Sequence, residues 1–217
     1  MKRSHLALGI LGFLSLLTVA IFYVRIQPIY IPKPVDTLST IGTIATPSVT
    51  YVNPSIGKPD APITIVQFGD FSCDACRQTS LALEALQKFR PDTIRIVWKN
   101  LPNESLHPFA LKAAMAAHCA ARQKRFWEYH DALFSRQTIL GDAIFSQIAA
   151  EIGIDTDAFG ACFASEDTLP IIRKDVEEAT ALNIIATPTI FIGTERLVGE
   201  TSLDELNAYV EKLIPKQ

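Results

Sequence analysis

Basic clusters are missing from this 217-residue chain: 20 lysines and arginines are scattered against 23 acids, for a net charge of −3. A partner held through its phosphate backbone needs a concentrated positive face. The overall charge therefore argues against a nucleic-acid partner. Internal repeats are absent too, so nothing points to a repeat architecture. Cysteine is scarce, with four in all, and no second pair at short spacing accompanies Cys73 and Cys76. A tetrahedral zinc needs four ligands, so the metal reading of that pair lacks its other half.

Charge of either sign is missing from the 19 residues Leu6 to Val24, which follow Lys2 and Arg3. At 1.5 Å rise per residue such a helix is about 28 Å long, near the hydrocarbon thickness of a bilayer. A cleaved signal peptide has a shorter apolar region ending in a small-x-small site. Here the run continues through Ala20, Ile21 and Phe22 with no clean site, and no cysteine stands near its end for lipoprotein processing. Tyr23 and Arg25 are placed as interfacial anchors, and the positive start favours a cytoplasmic N-terminus. Residues 1–27 are thus expected to be an uncleaved single transmembrane helix. Hydrophobic residues make up 48% of the chain, enough for a folded core after that one span.

Residues 28–54 carry Pro28, Pro32, Pro34, Pro47 and Pro54 among Thr and Ser and sustain no apolar period. They read as an extended tether, with a short strand conceivable near Val49–Val52. The globular pattern runs from 55 to 217. Ile63–Phe68 is a short β-branched strand, and 74–90 has Ala82, Leu83, Leu86 and Phe89 at helical spacing before Pro91. Thr93–Trp98 is a second strand, which makes a strand–helix–strand unit with a parallel pair. Residues 107–182 are almost wholly helical: one helix opens at Pro108, and others span 124–135, 142–151, 155–164 and 168–182. Strands return at Thr189–Ile192 and Arg196–Val198, and a last helix starts near Ser202. The expected class is an α/β sheet interrupted by a helical subdomain over about 105–182.

Cys73 and Cys76 sit where the first strand gives way to its helix. Unpaired N–H groups and the partial positive charge of a helix start stabilise a thiolate on Cys73. That sulfur can attack, or be attacked, in disulfide exchange, while Cys76 resolves the mixed disulfide. The plainer alternatives are a zinc half-site or two structural thiols. Far along the chain, Ala186-Thr187-Pro188-Thr189 precedes an apolar strand, where a proline can simply mark the strand's boundary.

Residues from about Ile56 to Ile214 resemble the DsbA-like branch of the thioredoxin superfamily. The resemblance lies in Phe68-Gly69-Asp70-Phe71 leading into Cys73 and Cys76, in the segment Phe126 to Phe134, and in Ala186 to Gly193. It implies a thioredoxin fold with a helical insertion and a cis peptide before Pro188 lying against the cysteine pair. It also implies that Thr187 and Pro188 form the substrate-docking turn. Two departures from the family pattern stand out. Gln67 occupies the position where many relatives place an acid beneath the site. Asp74 lies between the cysteines, beside Ala75, in the two positions that tune the Cys73 pKa. A carboxylate beside Cys73 disfavours its thiolate, so a weaker oxidant is expected, with Arg77 a partial offset.

Cys119 and Cys162 are either two buried free thiols or, in an oxidising compartment, a disulfide clamping the helical block; the disulfide is expected. His118 and His130 share apolar helix faces and read as core histidines, as Phe126, Trp127 and Tyr129 read as core aromatics. His107, in a loop before Pro108, is placed to approach the active site. These residues together predict a membrane-anchored dithiol oxidase in the cell envelope that donates the Cys73–Cys76 disulfide to exported proteins. A membrane redox partner would recycle the pair, with no metal or organic cofactor. The alternatives are the same site run as a reductant or isomerase, or a binding module with a structural cysteine pair.

Overall fold

Residues 46–214 are described by the computed structural model of this chain. The expected anchor over 1–27 and the linker up to residue 45 lie outside them. No helix among the described residues is long and apolar enough to cross a membrane. The described chain opens with a turn, in place of the short strand conceivable near Val49–Val52. Asn53 Oδ1 accepts from the Thr50 N–H and hydroxyl at 2.9 Å each, and the Asn53 N–H returns to the Thr50 carbonyl at 3.1 Å. With those groups satisfied locally, strand pairing begins only at β1 (Ser55–Ile56).

The strand–helix–strand unit follows as β2 (Ile63–Gly69), α1 (Asp74–Phe89) and β3 (Ile94–Asn100). The helical block comprises α2 (Ala110–Ala121), α3 (Phe126–Ser135), α4 (Asp142–Glu151), α5 (Thr156–Ala164) and α6 (Leu169–Ala181), with a 3₁₀ turn at Gln137–Ile139. The chain then returns to the sheet with β4 (Thr189–Ile192) and β5 (Glu195–Val198) and closes with α7 (Leu203–Leu213). Ser202 caps α7 through a reciprocal bond pair with Glu205. The sheet order is β1-β3-β2-β4-β5, parallel between β2 and β3 and antiparallel elsewhere.

Alternation along β2 assigns its side chains to two layers. Ile63 and Ile65 join Ile94, Ile96, Leu83 and Leu86 beneath α1 and α7. Val66 and Phe68 join Val97, Phe191 and Ala179 on the α6 side. The helical block has its own core, including Tyr129, Leu133, Phe145, Ile148 and Phe159, and meets the sheet at Phe71 and Trp98. Those two rings stack with centroids 4.8 Å apart. Gly69 is required beside them, since a Cβ there would lie 2.8 Å from Trp98 Cζ3. A disulfide joins Cys119 on α2 to Cys162 on α5, with Cα atoms 5.8 Å apart. Its loop spans 43 residues, for which chain entropy gives about 2–4 kcal/mol of stabilisation.

Helix α2 begins at Ala110 instead of Pro108. The Ala110 N–H reaches the His107 carbonyl at 3.0 Å, so residues 107–109 form a turn. His107 is itself held elsewhere, at Asp70.

A buried ionic cluster crosses from the sheet to the helical block. Lys99, 3% exposed, gives its ammonium to Asp175 at 3.3 Å and Glu178 at 2.6 Å. Asp175 also accepts from the Asn100 N–H and side-chain amide at 2.9 and 2.8 Å, and from Asn53 at 3.3 Å. Glu178 accepts from the Ser48 N–H at 2.6 Å. Burial pushes the Asp175 carboxyl up, against the pull of Asn100 and Lys99. Burial acts to raise Glu178 too, but Lys99 and Ser48 outweigh it and its net shift is downward. Such a cluster is stabilising only as a complete set, because removing one partner strands a charge out of water.

Candidate functional site

The C-terminal ends of β2 and β3 lie side by side at Gly69 and Asn100, and the turn Asp70–Ser72 carries the chain from β2 into α1. Cys73 is the N-cap of that helix, in extended conformation, and its sulfur accepts the Cys76 N–H at 3.1 Å. Side-chain capping satisfies one of the helix's first orphan donors; here a sulfur does it. A disulfide joins Cys73 to Cys76, with Cα atoms 5.2 Å apart. Cys73 remains 9% exposed and Cys76 is fully buried, so only the first sulfur is approachable.

The loop before β4 comes back to this point. The Thr187–Pro188 peptide is cis, and the Thr187 carbonyl oxygen lies 3.6 Å from Cys73 Sγ. Thr187 is half-buried and Pro188 buried, while Ile185 beside them is 94% exposed. The structure thus brings Cys73, Cys76, Thr187 and Pro188 together, from opposite ends of the domain. Cys119 and Cys162 belong to the helical block and are joined to each other. Asp74 is exposed and pairs with Arg77 at 2.9 Å. Ala75 packs against the helical block's core.

Beneath the pair, Gln67 is 2% exposed and donates to the Cys76 carbonyl at 3.3 Å and to Ser80 Oγ at 3.0 Å. It therefore braces α1 as a neutral amide. Gln67 also lines a cavity of about 450 Å³, with Ser80, Leu81, Trp127, His130 and Phe134. Among the described residues, no cluster of His, Cys, Asp and Glu converges where a metal ion could sit.

The histidines separate by partner. His118 Nε2 meets Asn100 Nδ2 at 2.8 Å, and burial pulls its pKa down to about 4. His130 is buried and gives Nδ1–H to Asp131 at 2.8 Å, but its Nε2, like Trp127 Nε1, has no partner. An unpaired buried donor or acceptor costs about 1–3 kcal/mol. His107 meets Asp70, three residues before Cys73, at 2.8 Å. Sequence reasoning singled out His107 but not its partner. The signal was local: an Asp two residues before a turn N–H forms an Asx-turn, and Asp70 Oδ1 takes the Ser72 N–H at 2.8 Å.

Comparison with known proteins agrees with this geometry. A family model described as thioredoxin matches residues 50–212. The oxidised BdbD of Bacillus subtilis superposes with a TM-score of 0.66 at 25% identity, over 75% of this chain and 92% of its own. The catalytic domain of Proteus mirabilis ScsC superposes with a TM-score of 0.65 at 26% identity, over 75% of this chain and 89% of its own. In sequence, the chain is 36% identical over 142 residues to the Na(+)/H(+) antiporter NhaA 1 of Mycolicibacterium gilvum, 64% of this chain and 23% of that protein. The chain spans about a quarter of the length of the curated relatives it matches.

Proposed function

From the membership of this chain in the thioredoxin family, with a Cys73–Cys76 pair in a thiol–disulfide oxidoreductase fold, we propose that it is an extracytoplasmic oxidase that donates its disulfide to exported proteins. The observation that carries this reading is the difference between the two sulfurs. Cys73 is approachable, capped by an N–H at a helix start, and faces the Thr187 carbonyl; Cys76 is sealed beneath it.

A substrate thiolate attacks Cys73 Sγ, the Cys73–Cys76 bond breaks, and Cys76 leaves as the thiolate and takes up a proton. A second substrate thiolate then attacks the substrate sulfur of the mixed disulfide and releases Cys73 as a thiolate. The substrate leaves oxidised by two electrons and the enzyme is left reduced by two. Thr187 and Pro188 form the surface on which the substrate chain lies. The charge-free run Leu6–Val24 supports anchorage to a membrane, with 28–54 as the tether, 55–217 as the working domain and a membrane redox partner to reoxidise the pair. Incubation of the oxidised protein with a dithiol peptide is the test. Stoichiometric oxidation of the peptide is expected, and a Cys73–Cys76 disulfide inert to both peptide and glutathione would overturn the oxidoreductase reading.

The reductant or isomerase direction has one observation in its favour, the carboxylate of Asp74 beside Cys73. Its pairing with Arg77 in solvent limits the effect. Asp74→Asn is expected to lower the Cys73 pKa by at most about one unit and to make the protein more oxidising, because a better thiolate stabilises the reduced form. Thiolate absorbance against pH, paired with glutathione equilibration, checks both. A rise in pKa would remove Asp74 from any tuning role.

A further inference from the structure

Asp70 carries more hydrogen bonds than any role in the sheet requires. Its residue is 2% exposed and its side chain is fully buried. Oδ1 accepts the Ser72 N–H at 2.8 Å; Oδ2 accepts the Asn103 N–H at 3.0 Å and His107 Nδ1–H at 2.8 Å. A carboxylate only accepts, so the proton lies on His107 Nδ1. The Asp70 carbonyl in turn accepts the Cys73 N–H at 3.1 Å. One residue thus holds the cysteine turn from two sides and fastens it to the loop between β3 and α2. Chain continuity alone does not secure that loop at this point. Its other tie to the turn region is the Leu101 N–H on the Gly69 carbonyl at 2.8 Å.

We propose that Asp70 is a positioning residue for disulfide exchange, stayed by His107, that fixes Cys73 Sγ against the Cys76 N–H. The proposal rests on the oxidoreductase reading and deepens it. A cap at a helix start works only while the sulfur stays within hydrogen-bond reach of its donor, here 3.1 Å away. The turn Asp70–Ser72 sets that distance. Asp70 also places a negative charge near the future thiolate, and the two effects have opposite signs on removal, which makes the role testable.

Asp70→Asn removes the charge, which by itself stabilises a Cys73 thiolate and lowers its pKa. It also turns an amide NH₂ toward either Ser72 N–H or the Asn103 and His107 donors, so the latch opens and the cap weakens. His107→Ala leaves the charge in place and removes one of its three donors, so both effects act upward on the Cys73 pKa. Positioning therefore predicts a rise in both variants, and a pure charge effect predicts a fall in Asp70→Asn. A residue that merely holds the fold together changes melting temperature and leaves the pKa where it was.

The experiment is thiolate absorbance of the reduced full-length variants against pH, with the glutathione equilibrium constant as a second readout. Both are expected to show a higher Cys73 pKa and an equilibrium shifted by about threefold or more toward the more reducing side. A fall in Asp70→Asn, no change, or a rise in only one variant overturns the proposal. If Asp70→Asn does not fold, half-buried His107→Ala is read by amide hydrogen exchange at the Cys76 N–H as well: a raised Cys73 pKa with faster exchange there supports positioning, and a raised pKa with unchanged exchange overturns it. The wild-type protein oxidising a dithiol peptide is scored separately, so failure of the oxidase reading and failure of the latch give different results.

Discussion

Cys73→Ala should abolish exchange with a dithiol peptide, a loss of about a thousandfold or more, while Cys76→Ser should stop one step later. The asymmetry follows from burial. Cys73 keeps 9% of its surface exposed, while Cys76, in the first turn of α1, keeps none. In a Cys76→Ser protein the Cys73 thiolate still attacks a substrate disulfide, but no neighbouring thiol remains to resolve the product. A covalent enzyme–substrate species should therefore build up on non-reducing gels and vanish on reduction. Exchange surviving in Cys73→Ala, or no trapped species with Cys76→Ser, would place the chemistry elsewhere. The two variants keep the Cys119–Cys162 disulfide, which separates loss of chemistry from loss of the clamp.

A steep acid sensitivity between pH 6.5 and pH 4 is expected from His118. The ring is 2% exposed and its Nε2 faces an Asn100 amide that is fully committed. Asn100 gives one N–H to Asp175 and one to His118, and its oxygen accepts the Trp98 indole N–H at 2.9 Å. His118 Nε2 must therefore present a lone pair, and a proton there would meet another N–H. Burial holds the folded pKa near 4, against an ordinary 6.5. Between those values the unfolded chain binds a proton that the folded chain refuses, so stability is complete above pH 6.5 and falls as pH drops through the folded pKa. The loss approaches roughly 3 kcal/mol. Asp175 works in the other direction, since its raised pKa favours the folded state on acidification. The informative quantity is therefore the difference between wild type and His118→Gln, whose oxygen can replace the acceptor. Urea midpoints at intervals across that range should converge toward acid pH; parallel curves would show that His118 does not titrate as its burial requires.

The sheet and helix pattern was legible because period-2 and period-3.6 apolar spacing survives in single segments: β2, β3, β4 and α4 fall within two residues of where Ile63–Phe68, Thr93–Trp98, Thr189–Ile192 and 142–151 predict. The cysteine pair was legible because its chemistry depends on a helix start, which is local. Lys99 was not. In the run Ile94-Arg95-Ile96-Val97-Trp98-Lys99-Asn100 it looks like a charge leaving the sheet for solvent, and only α6 folding back onto β3 supplies Asp175 and Glu178. His107 was legible as a candidate by its place in a loop, whereas Asp70 as its partner required the tertiary meeting of the β2–α1 and β3–α2 turns. Pro108 misplaced a helix start for the same reason: the tether on His107 draws residues 107–109 into a turn that helix preference alone would have continued.

The segment entering the domain is stitched down before the first strand is reached. Ser48 is bound to Glu178 and Asn53 to Asp175, both on α6, and Ser55–Ile56 lies against β3. Tension drawn along the chain from its N-terminal side would therefore be carried by the α6 cluster and the β1–β3 edge. The cysteine turn leaves the sheet at the same ends of β2 and β3, where Gly69 lies beside Asn100, and Asn100 is itself held by Asp175. The cluster that fastens Ser48 and Asn53 to α6 is thus also the one that steadies the strand end beside Cys73, so one set of buried charges serves both the entry of the chain and the floor of the exchange site.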